Sequence, residues 1–252
     1  MANFRTRLLN HERLIGTLLT LPTPSIAEMC AEAGMDWLFL DMEHGSLDLQ
    51  DVQRIAQAVN DRCPCVVRVP INDRMWIGKV LDLGVSGIII PQVNSAEDAQ
   101  RAVFAAKYPP QGGRGVGVGR ATRYGANLSG YLQNGNDETA IVAQIEHRDA
   151  VENVEAIANV AGVDALMIGP LDLSGSFGKP AQIDAPEVQA AIKRVREFGM
   201  GRKIPMSLFC PDAERAQKAL SEGYTLVPVA TDNLIFLRAA TAMVKTIQEA
   251  KA

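Results

Sequence analysis

No apolar run among the 252 residues approaches the length of a membrane-spanning helix. The start, Met1-Ala2-Asn3-Phe4-Arg5-Thr6-Arg7, has neither the apolar core nor the small-residue cleavage site of a secretory signal. Cysteines number four, and their placement favours reduced thiols over a disulfide or a metal site. Cys63 and Cys65 stand two apart, too close to bridge comfortably, and Cys30 and Cys210 lie in apolar surroundings. Buried, reduced thiols and a cytoplasmic location are expected. Basic residues form no stripe: 25 Lys and Arg are interspersed with 29 Asp and Glu for a formal net charge of -4, so neither nucleic acid nor a membrane surface is an expected partner. The glycine-rich stretch from Gly112 to Gly119 lacks the lysine and hydroxyl ending of a phosphate-binding loop. A small, even anionic, substrate in a local pocket stays open.

What the chain does have is alternation. Short apolar runs at 15–19, 37–41, 65–69, 87–90, 140–145, 164–168, 204–208 and 225–229 read as strands. Between them, 24–33, 48–60, 74–83, 95–107, 149–159, 186–199, 212–222 and 232–249 carry apolar residues at helical spacing, as in Val52, Ile55, Ala56 and Val59. Helix starts are marked by Ser95 with Asp98 three residues on, and by Asp212 after Pro211. Strands apolar throughout are buried on both faces, and strict alternation with helices means a parallel sheet. Eight units in about 250 residues predict a single-domain (β/α)8 barrel over 1–252, not an open doubly wound sheet, whose first turn would be glycine-rich where this one is Thr20-Leu21-Pro22-Thr23-Pro24. Two stretches break the rhythm: 109–138, too long for a passive connector, reads as a functional loop, and 169–185 as a Gly/Pro/Ser-rich loop after the sixth strand.

In such a barrel the carboxyl ends of the strands carry the chemistry. The second strand ends in Asp41, Glu43 and His44, the third in Arg68, and the fourth runs into Gln92. The fifth ends Gln144-Ile145-Glu146, and the sixth is followed by Gly169-Pro170-Leu171-Asp172-Leu173-Ser174. Each residue alone has an ordinary structural role open to it: Arg68 as an ion-pair partner, Gln92 as a loop ligand, Asp172 as a cap. Together, several acids with one arginine on one rim exceed simple pairing, and a cation would balance them. Glu146 and Asp172 offer oxygen only, which suits Mg²⁺ or Mn²⁺ with open positions for water and substrate. His147, next to Glu146, is the rival ligand and is expected to face the following helix. A 2-oxo acid would chelate such a metal, Arg68 would face the developing oxyanion, and His44 oriented by Asp41 would move the proton.

With these motifs assembled, the chain resembles the HpcH/HpaI family of class II, metal-dependent pyruvate aldolases, which includes 4-hydroxy-2-oxoheptanedioate and 2-keto-3-deoxy-L-rhamnonate aldolases. The likeness extends through Gly34-Met35-Asp36-Trp37, Arg114-Gly115-Val116-Gly117 and Val163-Asp164-Ala165. It implies aldol cleavage of 4-hydroxy-2-oxo acids to pyruvate, or a relative such as hydroxypyruvate, and an aldehyde. It makes Glu146 and Asp172 the metal ligands, with Co²⁺ or Zn²⁺ as substitutes for Mg²⁺ or Mn²⁺. His44 paired with Asp41 becomes the acid/base element, Arg68 the enolate stabiliser, and Gln144 a contact to substrate or water. Amides near Leu171 and Asp172 would hold the substrate carboxylate, with Ser174 as a neighbour and Leu208 and Phe209 near the aldehyde. The resemblance further implies a homo-hexamer, a trimer of dimers, with a swapped or packing C-terminal helix and Asp82 serving a neighbouring subunit's site. Met42 replaces a glycine and Leu18 an aromatic of the best-known members, which bears on the aldehyde alone.

Three rivals are weaker. A Schiff-base aldolase needs a lysine inside the barrel, and only Lys179 comes near. A CoA-ester lyase of the citrate lyase β-subunit or malyl-CoA lyase type shares the carboxylates, yet the chain is short for CoA-binding additions. A non-catalytic 2-oxo acid binding barrel has no reason to keep His44, Arg68, Glu146 and Asp172 together.

Overall fold

In the computed structural model, which describes residues 2–250, every expected strand is present: β1 (Leu14–Leu19), β2 (Trp37–Asp41), β3 (Cys65–Arg68), β4 (Gly87–Ile90), β5 (Ala140–Ile145), β6 (Ala165–Ile168), β7 (Met206–Leu208) and β8 (Leu226–Thr231). All neighbours pair in parallel, and β8 closes against β1. The helices are α1 (Phe4–Leu9), α2 (Pro24–Glu32), α3 (Leu49–Val59), α4 (Arg74–Asp82), α5 (Ala96–Ala106), α6 (Leu128–Glu138), α7 (Arg148–Glu152), α8 (Val154–Ala158), α9 (Pro170–Ser176), α10 (Pro186–Gly201), α11 (Ala213–Ser221) and α12 (Asp232–Glu249). The expected limits 1–252 include Met1, Lys251 and Ala252, which lie outside the described residues.

Strand residues alternate between two cores. Leu38, Leu40, Val67, Ile88 and Ile168 face the surrounding helices, whereas Leu18, Phe39, Val66, Ile89, Val142 and Met167 fill the lumen. Both faces are therefore apolar, which is why the strands read as unbroken apolar runs. The helix starts are capped as expected. Ser95 Oγ accepts from the Asp98 amide at 3.1 Å while the Asp98 carboxylate accepts from the Ser95 amide at 3.0 Å, and Asp212 accepts from the Arg215 amide at 2.8 Å. The cysteines are free, three of them buried, and burial pushes the Cys63 and Cys65 thiols up to about 12.

Four segments differ from expectation. α1 closes the amino-terminal mouth, burying Phe4 and Leu8 in the luminal cluster with Trp37 and tying Arg5 to Asp164 at 2.8 Å. At six residues it is too short for a readable period. α6 forms inside 109–138, and α9 occupies the first part of 169–185. α6 carries two glycines and buries only Gly135, so it has no apolar stripe, and the seven-residue α9 begins on Pro170. The helix expected at 149–159 is broken at Asn153 into α7 and α8.

α12 does not pack along its own barrel. Of its 18 residues only Asp232 is buried, and Phe236, Leu237, Met243, Val244 and Ile247 are all more than half exposed. The outward side of β1 is correspondingly bare at Ile15. No helix is long and apolar enough to cross a membrane among the described residues.

Candidate active site

Strand parity delivers the polar side chains. Trp37 and Phe39 point into the lumen, so Asp41 does too, and it lies in register with Arg68, which follows luminal Val66 by two residues. The same alternation along Ala140, Val142, Gln144 and Glu146 carries the last two to the carboxyl-terminal rim.

Asp41 and Arg68 form a two-point ion pair. Arg68 Nε donates to Asp41 Oδ1 at 2.8 Å and Nη2 to Oδ2 at 2.6 Å, with Asp41 1% and Arg68 7% exposed. Glu43 Oε2 approaches Arg68 Nε to 3.2 Å, and the guanidinium lies 5.3 Å from the centre of the Phe39 ring. Burial opposes the arginine's charge, but the Asp41 hydrogen bonds and the carboxylates of Asp41, Glu43 and Glu146 outweigh it and raise its pKa. Arg68 is thus a fixed positive charge.

The imidazole of His44 does not pair with Asp41. The Asp41 carboxylate is occupied by Arg68 and by the backbone amides of Glu43, at 3.0 Å, and His44, at 3.3 Å, and the His44 ring instead sits 3.9 Å from Glu43 Oε2. Asp41 fixes the backbone that carries His44, and the ring itself is largely exposed. His147 caps α7, its Nδ1 accepting from the Asp149 amide at 3.1 Å, as expected of a residue turned away from the site.

Glu146 is almost fully buried and held from two sides. Its Oε1 accepts from the Gln92 backbone amide at 2.8 Å, and its Oε2 accepts from Gln144 Nε2. Burial pushes its carboxyl up to about 7; the Gln92 amide and Gln144 work against this, while the charges of Glu43 and Asp172 reinforce it. Glu43 is also raised, by burial first and then by Asp41 and Asp172 against the pull of Arg68. Gln144 Oε1 is buried without a donor. Gln92 has a left-handed φ of 54°, which aims its amide at Glu146, a role of the backbone that a side-chain reading of Gln92 misses.

Asp172 lies exposed in the first turn of α9. Ser174 is fully buried, and its hydroxyl donates to the Leu171 carbonyl at 2.6 Å, bracing the turn that carries Asp172. β7 sends Met206 and Leu208 outward into the helix-facing core, and of the two residues expected near the aldehyde it is Phe209 that packs on the luminal cluster. Asp82 ends α4, which runs back from the carboxyl end of β3, so it lies near the opposite mouth, where Arg114 Nη2 holds it at 2.8 Å. It cannot reach the site of its own barrel.

Gly169 contributes to the site by having no side chain. A methyl group there would stand 2.8 Å from Glu146 Oε2 and 3.0 Å from Gln144 Nε2. Gly169→Ala is therefore expected to displace the carboxylate and lower kcat/KM about 10²-fold. Steady-state kinetics beside a melting curve check this, and an unperturbed rate would show that the cradle has slack.

The donor set fits a hard divalent cation. Acidic groups outnumber Arg68, the available atoms are oxygens, and the charges of Glu43 and Asp172 beside Glu146 are ones that a cation would offset. No group of three or more His, Cys, Asp or Glu side chains is arranged to hold a metal among the described residues.

The profile of HpcH/HpaI aldolase/citrate lyase matches residues 15–239. The chain is 37% identical to 2-keto-3-deoxy-L-rhamnonate aldolase of Klebsiella pneumoniae, over 94% of this chain and 89% of that one. It is 36% identical to the hydroxypyruvate/pyruvate aldolase of Cupriavidus necator, over 98% and 92% respectively. The crystal structure of an HpcH/HpaI aldolase/citrate lyase family protein from Burkholderia cenocepacia superposes with a TM-score of 0.93 at 34% identity, covering 98% of each chain. Barrel, rim and sequence agree, and the chain belongs to the HpcH/HpaI aldolase/citrate lyase family, an enzyme of the lyase class.

Proposed function

We propose that this enzyme reversibly cleaves 4-hydroxy-2-oxo acids to pyruvate, or a close relative such as hydroxypyruvate, and an aldehyde. The observation that carries this is a buried, immobilised Arg68 on the rim that also bears the carboxylates Glu146 and Asp172. Glu146 and Asp172 would hold Mg²⁺ or Mn²⁺, with Co²⁺ or Zn²⁺ as substitutes. When bound, the cation supplies Lewis-acid polarisation of the 2-oxo group. Arg68, unable to turn because Asp41 grips it at two points, faces the negative charge that reaches the 2-oxo oxygen as the C3–C4 electron pair is released. The amides that open α9, at Leu171 and Asp172, suit the substrate carboxylate, and Gln144 Oε1, without a hydrogen-bond donor among the described residues, is an acceptor still to be satisfied. His44 takes the proton of the C4 hydroxyl as the bond breaks, directly or through water, and Phe209 borders the aldehyde.

Cleavage of a panel of 4-hydroxy-2-oxo acids, measured after chelation and after adding back each metal, tests the reading. Chelator-resistant turnover with borohydride inactivation in the presence of pyruvate would replace it by Schiff-base chemistry. His44→Ala is expected to slow turnover by roughly 10²–10⁴. An unchanged rate would hand the proton to water.

The working form is a homo-hexamer, a trimer of dimers, in which α12 is exchanged. Two features support this: the exposed apolar residues of α12 together with a half-exposed Ile15 on β1, and an Asp82 that stands at the mouth opposite its own barrel's site. A monomeric mass by light scattering would overturn it. Free, buried cysteines are in keeping with a cytoplasmic location.

A further inference from the structure

Asp232 is a carboxylate with an uncommon setting. It is 4% exposed, and no Lys, Arg or His forms an ion pair with it among the described residues. Buried acids without a cation are rare because desolvation has to be offset by hydrogen bonds. Asp232 is the first residue of α12, where the helix's positive end favours an anion and the Asn233 amide reaches its Oδ1 at 2.8 Å. Capping alone does not account for its partners. Across the barrel seam it accepts from the Thr20 amide at 3.0 Å, the Thr20 hydroxyl at 2.8 Å and the Leu21 amide at 2.9 Å. One carboxylate thereby immobilises the turn after β1.

That turn touches the catalytic loop. The Thr20 carbonyl accepts from the Ser46 amide at 3.4 Å and the Ser46 hydroxyl at 3.3 Å. Between Ser46 and His44, Gly45 is packed so that a methyl group would lie 3.3 Å from Thr20 Cα and collide with the Asp41 carbonyl. The His44 backbone is thus pinned on one side by Asp41 and on the other by Thr20. The imidazole, by contrast, has no hydrogen-bond or ion-pair partner nearer than Glu43 at 3.9 Å among the described residues. Its position depends on the loop.

We propose that Asp232 is a positioning residue for His44, acting through Thr20 and Ser46; this rests on His44 being the acid/base group. Asp232→Asn keeps the shape but turns one acceptor oxygen into a donor facing amide and hydroxyl hydrogens. The turn then loosens, and kcat is expected to fall roughly 10- to 10²-fold with KM changed less than about twofold. Thr20→Val, which loses only the hydroxyl bond, serves as a milder variant if Asp232→Asn folds poorly, with a smaller loss of the same kind.

The deciding measurement is a double-mutant cycle with His44→Ala, with Mn²⁺ affinity measured directly by titration. Acting through His44, neither Asp232→Asn nor Thr20→Val lowers kcat further once His44 is alanine, and Mn²⁺ affinity stays at the wild-type value. Losses that multiply with that of His44→Ala, or weakened Mn²⁺ binding, would make Asp232 a structural support only and overturn the proposal. If His44→Ala itself runs at the wild-type rate, the acid/base assignment fails first. An Asp232→Asn enzyme of unchanged kcat beside a slow His44→Ala enzyme overturns the clamp alone.

Discussion

Replacing Glu146 or Asp172 by alanine is expected to abolish metal-supported cleavage, a loss of at least about 10³-fold in kcat/KM, with the far-ultraviolet circular dichroism of wild type retained. The barrel does not depend on either side chain for its core, because both stand at the rim, one at the end of β5 and the other at the start of α9. Full activity of either variant in metal-stripped buffer would sink the ligand assignment. Glu146→Gln adds a second readout. With a folded-state carboxyl pushed to about 7, against an ordinary 4.5, the native protein holds this proton more tightly than the unfolded chain does. That contribution to stability is full below about pH 4.5 and is lost as the pH rises through about 7. In metal-free buffer the Tm of wild type should therefore fall relative to that of Glu146→Gln between about pH 5 and 8, and Mn²⁺ should reverse the trend for wild type alone. A Tm difference that stays flat across this range would contradict the buried, charge-crowded setting of Glu146.

Arg68→Met is expected to cost both stability and rate. It leaves Asp41 1% exposed with only the Glu43 and His44 amides for partners, and stranding one member of a buried ion pair costs about 3–5 kcal/mol. Loss of the fixed charge beside the 2-oxo oxygen should lower kcat by roughly 10²–10³. Arg68→Lys should recover little, because one ammonium cannot reproduce contacts from Nε and Nη2 to two carboxylate oxygens. Asp41→Asn combined with Arg68→Met removes the stranded charge and should regain part of the stability and none of the activity. Denaturant titration and kinetics on the same samples separate the two effects, and a double variant as unstable as Arg68→Met would show that the ion pair is not the source of the loss.

Much of the site is legible because strand ends are. The apolar runs at 37–41 and 140–145 stop on Asp41 and shortly before Glu146, and period-two alternation puts Gln144 and Glu146 on one face, whereas that this face is the luminal one is decided by the packing of the barrel. Parity fails where the strand is short. β7 has three residues, so Leu208 and Phe209 are equally plausible pocket walls until the register with β6 and β8 is known. Hydrogen-bond partners are illegible for a different reason. A carboxylate next to a histidine in sequence suggests a pair, yet Arg68, 27 residues away, competes better for Asp41 because it binds both oxygens. Ser174 looked available, but a hydroxyl within a helical turn finds a carbonyl of that turn, here Leu171.

Composition and periodicity by themselves determined the eight-unit barrel, the absence of a membrane-spanning run, and the strands whose ends carry acid, arginine and histidine. These follow from local rules: which faces are apolar, at what period, and where each run ends. Only the tertiary structure decided that Asp41 grips Arg68, that a backbone amide of Gln92 and the missing side chain of Gly169 make room for a raised Glu146, and that α12 leaves its apolar residues uncovered. Those outcomes depend on distances between residues far apart in the chain, and on which of several possible partners satisfies a buried charge first.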